Sequence, residues 1–134
     1  MRQVFVDTGG WFALLDANDP AHADASRWFK DNDLPLVTTD YVFDETITLA
    51  RMELGHAVAV RFGEKLQTSS WAQLIAVSAE DRKAAWLTFK KYKDQRLSYT
   101  DCTSFATMRR LGIHQVATTD KGFKVAGFTP VFPW

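Results

Sequence analysis

Arg2-Gln3-Val4-Phe5-Val6-Asp7-Thr8-Gly9-Gly10 is the stretch whose reading decides the fold. Val4, Phe5 and Val6 form an unbroken apolar run. A strand covered on both faces, as in a parallel sheet, carries that signature, whereas a half-exposed strand alternates. The run stops at a carboxylate and two glycines, which predict a tight turn. In open α/β sheets chemistry gathers outside the carboxyl ends of the strands, and Asp7 stands there. The pattern recurs twice. Leu36-Val37-Thr38-Thr39 leads to Asp40, with Asp44 and Glu45 beyond, and Val116-Ala117-Thr118-Thr119 leads to Asp120. Three apolar runs, each ending at an acid, predict one acidic site at one edge of one sheet.

Between these runs the periodicity is helical. Trp11, Phe12, Leu14 and Leu15 make a short apolar helix. Asp19-Pro20 reads as an N-cap and a first helical position, opening a helix with Ala21, Ala25, Trp28 and Phe29 on one face. A helix from about Tyr41 to Leu54 closes at Gly55. Val42, Phe43, Ile47, Ala50 and Leu54 face the core there. Asp40 is expected as its N-cap, Asp44 in solvent, and Glu45 on a mostly apolar stripe with Tyr41, Leu49 and Met52. Ala57 to Gln67 reads as a further helix, and Trp71–Val77 as a short strand, with helix the alternative for so short a run. Ser78-Ala79-Glu80-Asp81 is a capping box with Asp in place of Glu. The helix behind it runs to about Lys93, with Ala85, Trp86, Phe89 and Tyr92 inward. Ser98-Tyr99-Thr100-Asp101 is a second box, and its helix ends at Gly112. A last strand near Val131-Phe132, flanked by prolines, is expected at an edge. The alternation of strand and helix indicates a parallel, doubly wound sheet. With 134 residues, no internal repeat and no linker, one domain over 1–134 is expected, since roughly 100–200 residues per domain is usual.

Hydrophobic content of 46% and charged content of 24% are ordinary globular values, so a disordered or membrane class is excluded. Cys102 stands alone, which rules out an internal disulfide and suits a reducing compartment. No run is apolar and long enough to span a bilayer. Asp7 interrupts the N-terminal apolar stretch too early for a signal peptide. A cytoplasmic protein is therefore expected. The zero net charge hides an asymmetry. Residues 1–81 hold 6 Lys/Arg against 13 Asp/Glu, and residues 82–134 hold 10 against 3. A basic half around isolated carboxylates suits a polyanion, although a basic helix end also complements the helix dipole.

Asp7, Glu45, Asp101 and Asp120 carry the chemical argument. Crowded carboxylates repel unless a cation sits among them. Oxygen-only ligands select Mg²⁺ or Mn²⁺ over zinc, and such ions support displacement at phosphorus. Each acid also has a plainer reading: a turn for Asp7 and Asp120, a helix cap for Asp101. Other chemistries fit less well. His22, His56 and His114 are scattered, and Cys102 lies on an apolar helix side. There is no Walker loop and no G-x-G-x-x-G. Asp7-Thr8-Gly9 matches the aspartic-protease signature, but that fold is all-β. A haloacid dehalogenase-type phosphatase wants an acid at position 9, which is Gly. Thr8 and Thr118 are candidates to position water or phosphate. Lys90, Lys91, Lys93, Arg96 and Lys121 are candidates to meet the phosphates of a polyanion on either side of the site.

Taken in order, Val6-Asp7-Thr8, Thr39-Asp40-Tyr41-Val42-Phe43-Asp44-Glu45, Leu97-Ser98-Tyr99-Thr100-Asp101 and Thr118-Thr119-Asp120-Lys121-Gly122-Phe123 resemble the motifs of PIN-domain ribonucleases of the VapC toxin type. The resemblance covers essentially the whole chain. It implies a three-layer α/β/α fold with a central, mainly parallel sheet. It also implies a Mg²⁺- or Mn²⁺-dependent endoribonuclease whose acidic quartet maps onto Asp7, Glu45, Asp101 and Asp120. The fourth acid varies in that family. A homodimer and inhibition by a VapB-type antitoxin are implied as well. The chain departs at Gly9-Gly10, where relatives often carry Ser or Ala. The alternative class is a PIN-like domain that binds RNA or protein without cutting.

Overall fold

The computed structural model describes residues 2–133. Five strands and seven helices alternate: β1 (Val4–Val6), α1 (Thr8–Leu15), α2 (His22–Asp31), β2 (Leu36–Thr39), α3 (Asp40–Leu54), α4 (His56–Thr68), β3 (Gln73–Ile75), α5 (Ala79–Lys91), α6 (Tyr99–Leu111), β4 (Gln115–Ala117), α7 (Lys121–Val125) and β5 (Thr129–Pro130). The sheet order is β3-β2-β1-β4-β5, and every neighbouring pair is parallel. Every residue of β1 and β2 is buried. Since side chains alternate between faces, helices must cover both sides of the sheet, as the unbroken apolar runs predict. The chain steps outward from β1 to β3, then returns to β4 on the other side of β1. The β1/β4 junction is therefore the topological switch point, and Asp7 and Asp120 follow these two strands there.

Trp11 anchors one layer. It is fully buried, stacks on Phe29 at 5.6 Å and meets Phe62 and Trp71 edge-on at 5.3 and 4.8 Å. Its Nε1–H donates to Thr38 Oγ1, whose hydroxyl donates to the Val6 carbonyl. Phe105, Phe123 and Phe128 form a second aromatic group, with centroids 4.8 and 5.6 Å from Phe105.

Several expectations are corrected. Gly9 and Gly10 do not make a turn, because α1 begins at Thr8 and neither glycine has positive φ. They are small because α1 runs against β4: a Cβ on Gly10 would lie 2.2 Å from the Ala117 carbonyl oxygen. Asp19 does not cap α2. It closes a tight turn ahead of it, its side chain accepting the Ala21 N–H. Thr39, not Asp40, caps α3 through the Val42 N–H. Asp40 instead accepts the Val77 N–H, tying β3's exit to α3. The last strand is Thr129–Pro130, two residues before Val131-Phe132. Thr129 donates to His114, just before β4, and Val131 donates to Val116 within it, so the missing N–H of Pro130 falls at the outer edge. α7 follows Asp120, where the plainer reading of that acid had a turn. Trp86 and Phe89, expected inward, are exposed, because α5 buries Ala85 and packs mainly against α6.

Candidate active site

Three carboxylates meet beyond the sheet edge, each from the start of a helix. Asp7 occupies the N-cap position of α1 but makes no capping hydrogen bond. Its Oδ2 accepts the Thr118 hydroxyl at 2.9 Å, while its buried Oδ1 has no partner. Asp101 closes the capping box of α6, its Oδ2 accepting the Ser98 N–H at 3.0 Å. Asp120 caps α7, its Oδ1 accepting the Gly122 N–H at 2.8 Å. Thr118 joins the first and third acids, because its oxygen also accepts the Asp120 N–H. One oxygen from each of Asp7, Asp101 and Asp120 falls within 4.8 Å of the others. The capping reading of Asp101 holds, and the same carboxylate also belongs to the cluster.

The trio is electrostatically costly without a cation. Burial pushes the Asp7 carboxyl up to about 7, against the Thr118 hydrogen bond and helped by repulsion from Glu45 and Asp120. Burial, followed by the Asp7 charge, also raises Asp101. Helix N-termini offset part of this cost through their dipoles. The orphaned Asp7 Oδ1, the convergent oxygens and the all-carboxylate donor set fit a hard divalent ion. Cys102 is fully buried, and burial pushes its thiol up to about 11, which fits core packing.

The other expected site residues are placed less centrally. Glu45 stands outside the trio, half-buried on α3, yet near enough for its charge to act on Asp7. Thr8 is buried, and its hydroxyl accepts from Thr46. Thr118 has its proton and one lone pair engaged by Asp7 and Asp120, so it positions acids. Lys90, Lys91, Lys93, Arg96 and Lys121 are exposed. Among the described residues the ion pairs are Arg27–Asp24 and Arg110–Asp81, which leaves these five cations unpaired.

A family model described as PIN domain matches residues 4–129. The chain belongs to the PIN domain family. It is 34% identical over 130 residues to the 23S rRNA-specific endonuclease VapC20 of Mycobacterium tuberculosis strain H37Rv, covering 97% of this chain and 98% of the relative. The crystal structure of M. tuberculosis VapC20, a sarcin-ricin loop cleaving toxin, superposes with a TM-score of 0.91 at 33% identity over 97% of this chain and 99% of that one. The DNA-bound VapBC of Salmonella typhimurium has a TM-score of 0.69 at 12% identity over 97% of both chains, a likeness of fold. The expected architecture, a parallel sheet between helix layers, is thus that of PIN domains. No helix among the described residues is long and apolar enough to cross a membrane.

A buried acid outside the cluster serves this PIN domain differently. Asp81 caps α5 by accepting the Ser78 N–H. It also accepts the Thr107 hydroxyl and a two-pronged bond from Arg110 at 2.9 Å. Burial opposes its charge, but Arg110, Thr107 and Ser78 outweigh that and hold its pKa at about 2. The stability it contributes is present above about pH 4 and is lost as pH falls toward 2. Asp81→Asn is expected to cost roughly 1–3 kcal/mol at neutral pH and to flatten the acid limb of stability between about pH 4 and 2. Urea melts across that range check it. The spacing of Asp81 after Ser78 shows the cap, but nothing local shows the reach to Arg110.

Proposed function

We propose that this PIN domain is a Mg²⁺- or Mn²⁺-dependent endoribonuclease, the toxin partner of a VapB-like antitoxin. The single observation that carries the metal-dependent reading is the buried, partnerless Asp7 Oδ1 amid two further convergent carboxylates. Asp7, Asp101 and Asp120 hold the ion, and Glu45 is the fourth acid of the site. When bound, the ion lowers the pKa of water and stabilises charge on the reacting phosphate. The chain's own part is preorganisation. The Thr118 hydroxyl fixes Asp7 Oδ2, and backbone N–H groups of Ser98 and Gly122 fix one oxygen of Asp101 and Asp120. The acids are thereby set before substrate arrives. Thr8, held by Thr46, borders Asp7, and Lys90, Lys91, Lys93, Arg96 and Lys121 meet phosphates through charge. A homodimer is the expected assembly. A cytoplasmic site of action and one domain over 1–134 complete the reading.

The name of the VapC20 relative makes ribosomal RNA the substrate class to test first. Purified chain incubated with ribosomal RNA is expected to give discrete fragments in Mg²⁺ or Mn²⁺ and none in EDTA. Cleavage that persists in EDTA contradicts the mechanism. RNA binding with no cleavage in either metal favours the non-cutting alternative. Against that alternative stands its electrostatic cost, since a silent binding domain has no use for mutually repelling buried acids.

A further inference from the structure

Helix α5 presents an aromatic face that the fold does not use. Trp86 is 52% exposed and Phe89 40%. They lie on successive turns and stack, with centroids 5.7 Å apart and planes 18° apart. Each meets Tyr99 at 6.3 Å, ring edge to ring face. Tyr99 lies 6.3 Å from Tyr41 in turn. Tyr99 is two residues before Asp101, and Tyr41 is one helical turn before Glu45. Through Tyr99 and Tyr41 the row joins α5 to the first turns of α6 and α3, the helices that carry Asp101 and Glu45.

Cations share this face. Arg82 and Lys83 precede Trp86 by four and three residues, and Lys90 follows it by four, the spacings that bring side chains together on a helix. Arg82 and Lys83 line one open hollow with Trp86 and Leu87. This mixture decides between occupants. The cores of protein–protein interfaces are rich in Trp and Phe but poor in Lys. Surfaces for unpaired nucleic acid interleave aromatic rings, on which bases stack, with cations that meet phosphates. Paired RNA offers no free base faces, so such a surface selects single-stranded segments, loops or bulges.

We propose that Trp86 and Phe89, with Tyr99 linking them to the acids, form a stacking platform for unpaired nucleotides flanking the scissile bond. This rests on the RNA-cleaving reading and adds a determinant of substrate choice. The test measures binding of a short unstructured mixed-sequence RNA, and of the same strand annealed to its complement, by fluorescence anisotropy in EDTA across a salt series. Trp86→Ala and Phe89→Ala are expected to keep the parent's melting temperature and to lose roughly 5- to 150-fold in affinity for the single strand. The salt slope stays unchanged, because stacking releases no counterions. Trp86→Phe keeps most of the affinity, whereas Trp86→Leu, which keeps apolar area, does not. Lys90→Ala makes the salt slope shallower. Unchanged single-strand affinity in Trp86→Ala, with the parent binding and cleaving RNA, overturns the platform alone. A parent that binds neither RNA overturns the platform together with the nuclease reading. Rescue by Leu, or a shift in sedimentation from dimer to monomer in Trp86→Ala with RNA affinity per chain intact, assigns the face to a second copy and overturns the proposal.

Discussion

Asp7→Asn is expected to lower RNA cleavage on the order of 10³-fold or more, the scale seen when a central member of a catalytic group is removed. The fold survives, because Asn still accepts the Thr118 hydroxyl and its amide donates toward neighbouring carboxylates. In chelator the variant is more stable than the parent. The sign follows from the raised Asp7 pKa of about 7. Below about pH 4 the carboxyl is protonated in both folded and unfolded chains. Between about pH 4 and 7 the unfolded chain ionises first, so stability falls as pH rises, and above 7 the loss is complete. At roughly 1.4 kcal/mol per unit, Asp7 destabilises the metal-free fold at pH 8 by on the order of 2–4 kcal/mol. Asp7→Asn removes that slope. Thermal melts in EDTA at pH 5 and 8, beside a cleavage assay in Mn²⁺, test both halves. A variant that cleaves like the parent removes Asp7 from the mechanism.

Gly10→Ala carries the largest expected effect on folding. Its Cβ would press to 2.2 Å from the Ala117 carbonyl oxygen and 2.7 Å from the carbonyl carbon, which are backbone atoms of a central strand. α1 must move away from β4, and Asp7 and Thr118 sit on the two sides of that junction. Overpacking against flexible side chains costs about 1–3 kcal/mol, and a rigid strand leaves less room to relax. The expected result is about 3 kcal/mol or more lost in urea melts, together with cleavage. A Gly10→Ala chain that melts with the parent would show that α1 shifts freely.

Parallel topology was legible because Val4–Val6 and Leu36–Thr39 lack alternation, and buried parallel strands need none. The acidic edge followed, since parallel strands deliver their following acids to one side. Ser78–Asp81 and Ser98–Asp101 declared their helix starts because capping boxes are local chemistry. What stayed hidden depends on packing between distant segments. Gly9 and Gly10 look like turn residues until β4 lies against them. The helical spacing of Trp86 and Phe89 resembles a core stripe, and only the narrow contact of α5 through Ala85 leaves them outside. Glu45 shared an acidic stretch with Asp40 and Asp44, and nothing in that stretch shows that it stands outside the trio while its charge still acts on Asp7. Arg82, Lys83 and Lys90 on the same face as Trp86 were the local signs that this stripe meets solvent.

The most direct test of the central claim, that the carboxylate trio is a divalent-ion site, is Mn²⁺ titration followed by electron paramagnetic resonance at pH 8. The parent is expected to remove the free-ion signal in proportion to protein. Asp7→Asn and Asp101→Asn are each expected to lose most of that binding while retaining the parent's circular dichroism spectrum. A parent that leaves the free Mn²⁺ signal untouched, or variants that bind the ion as the parent does, would contradict the account.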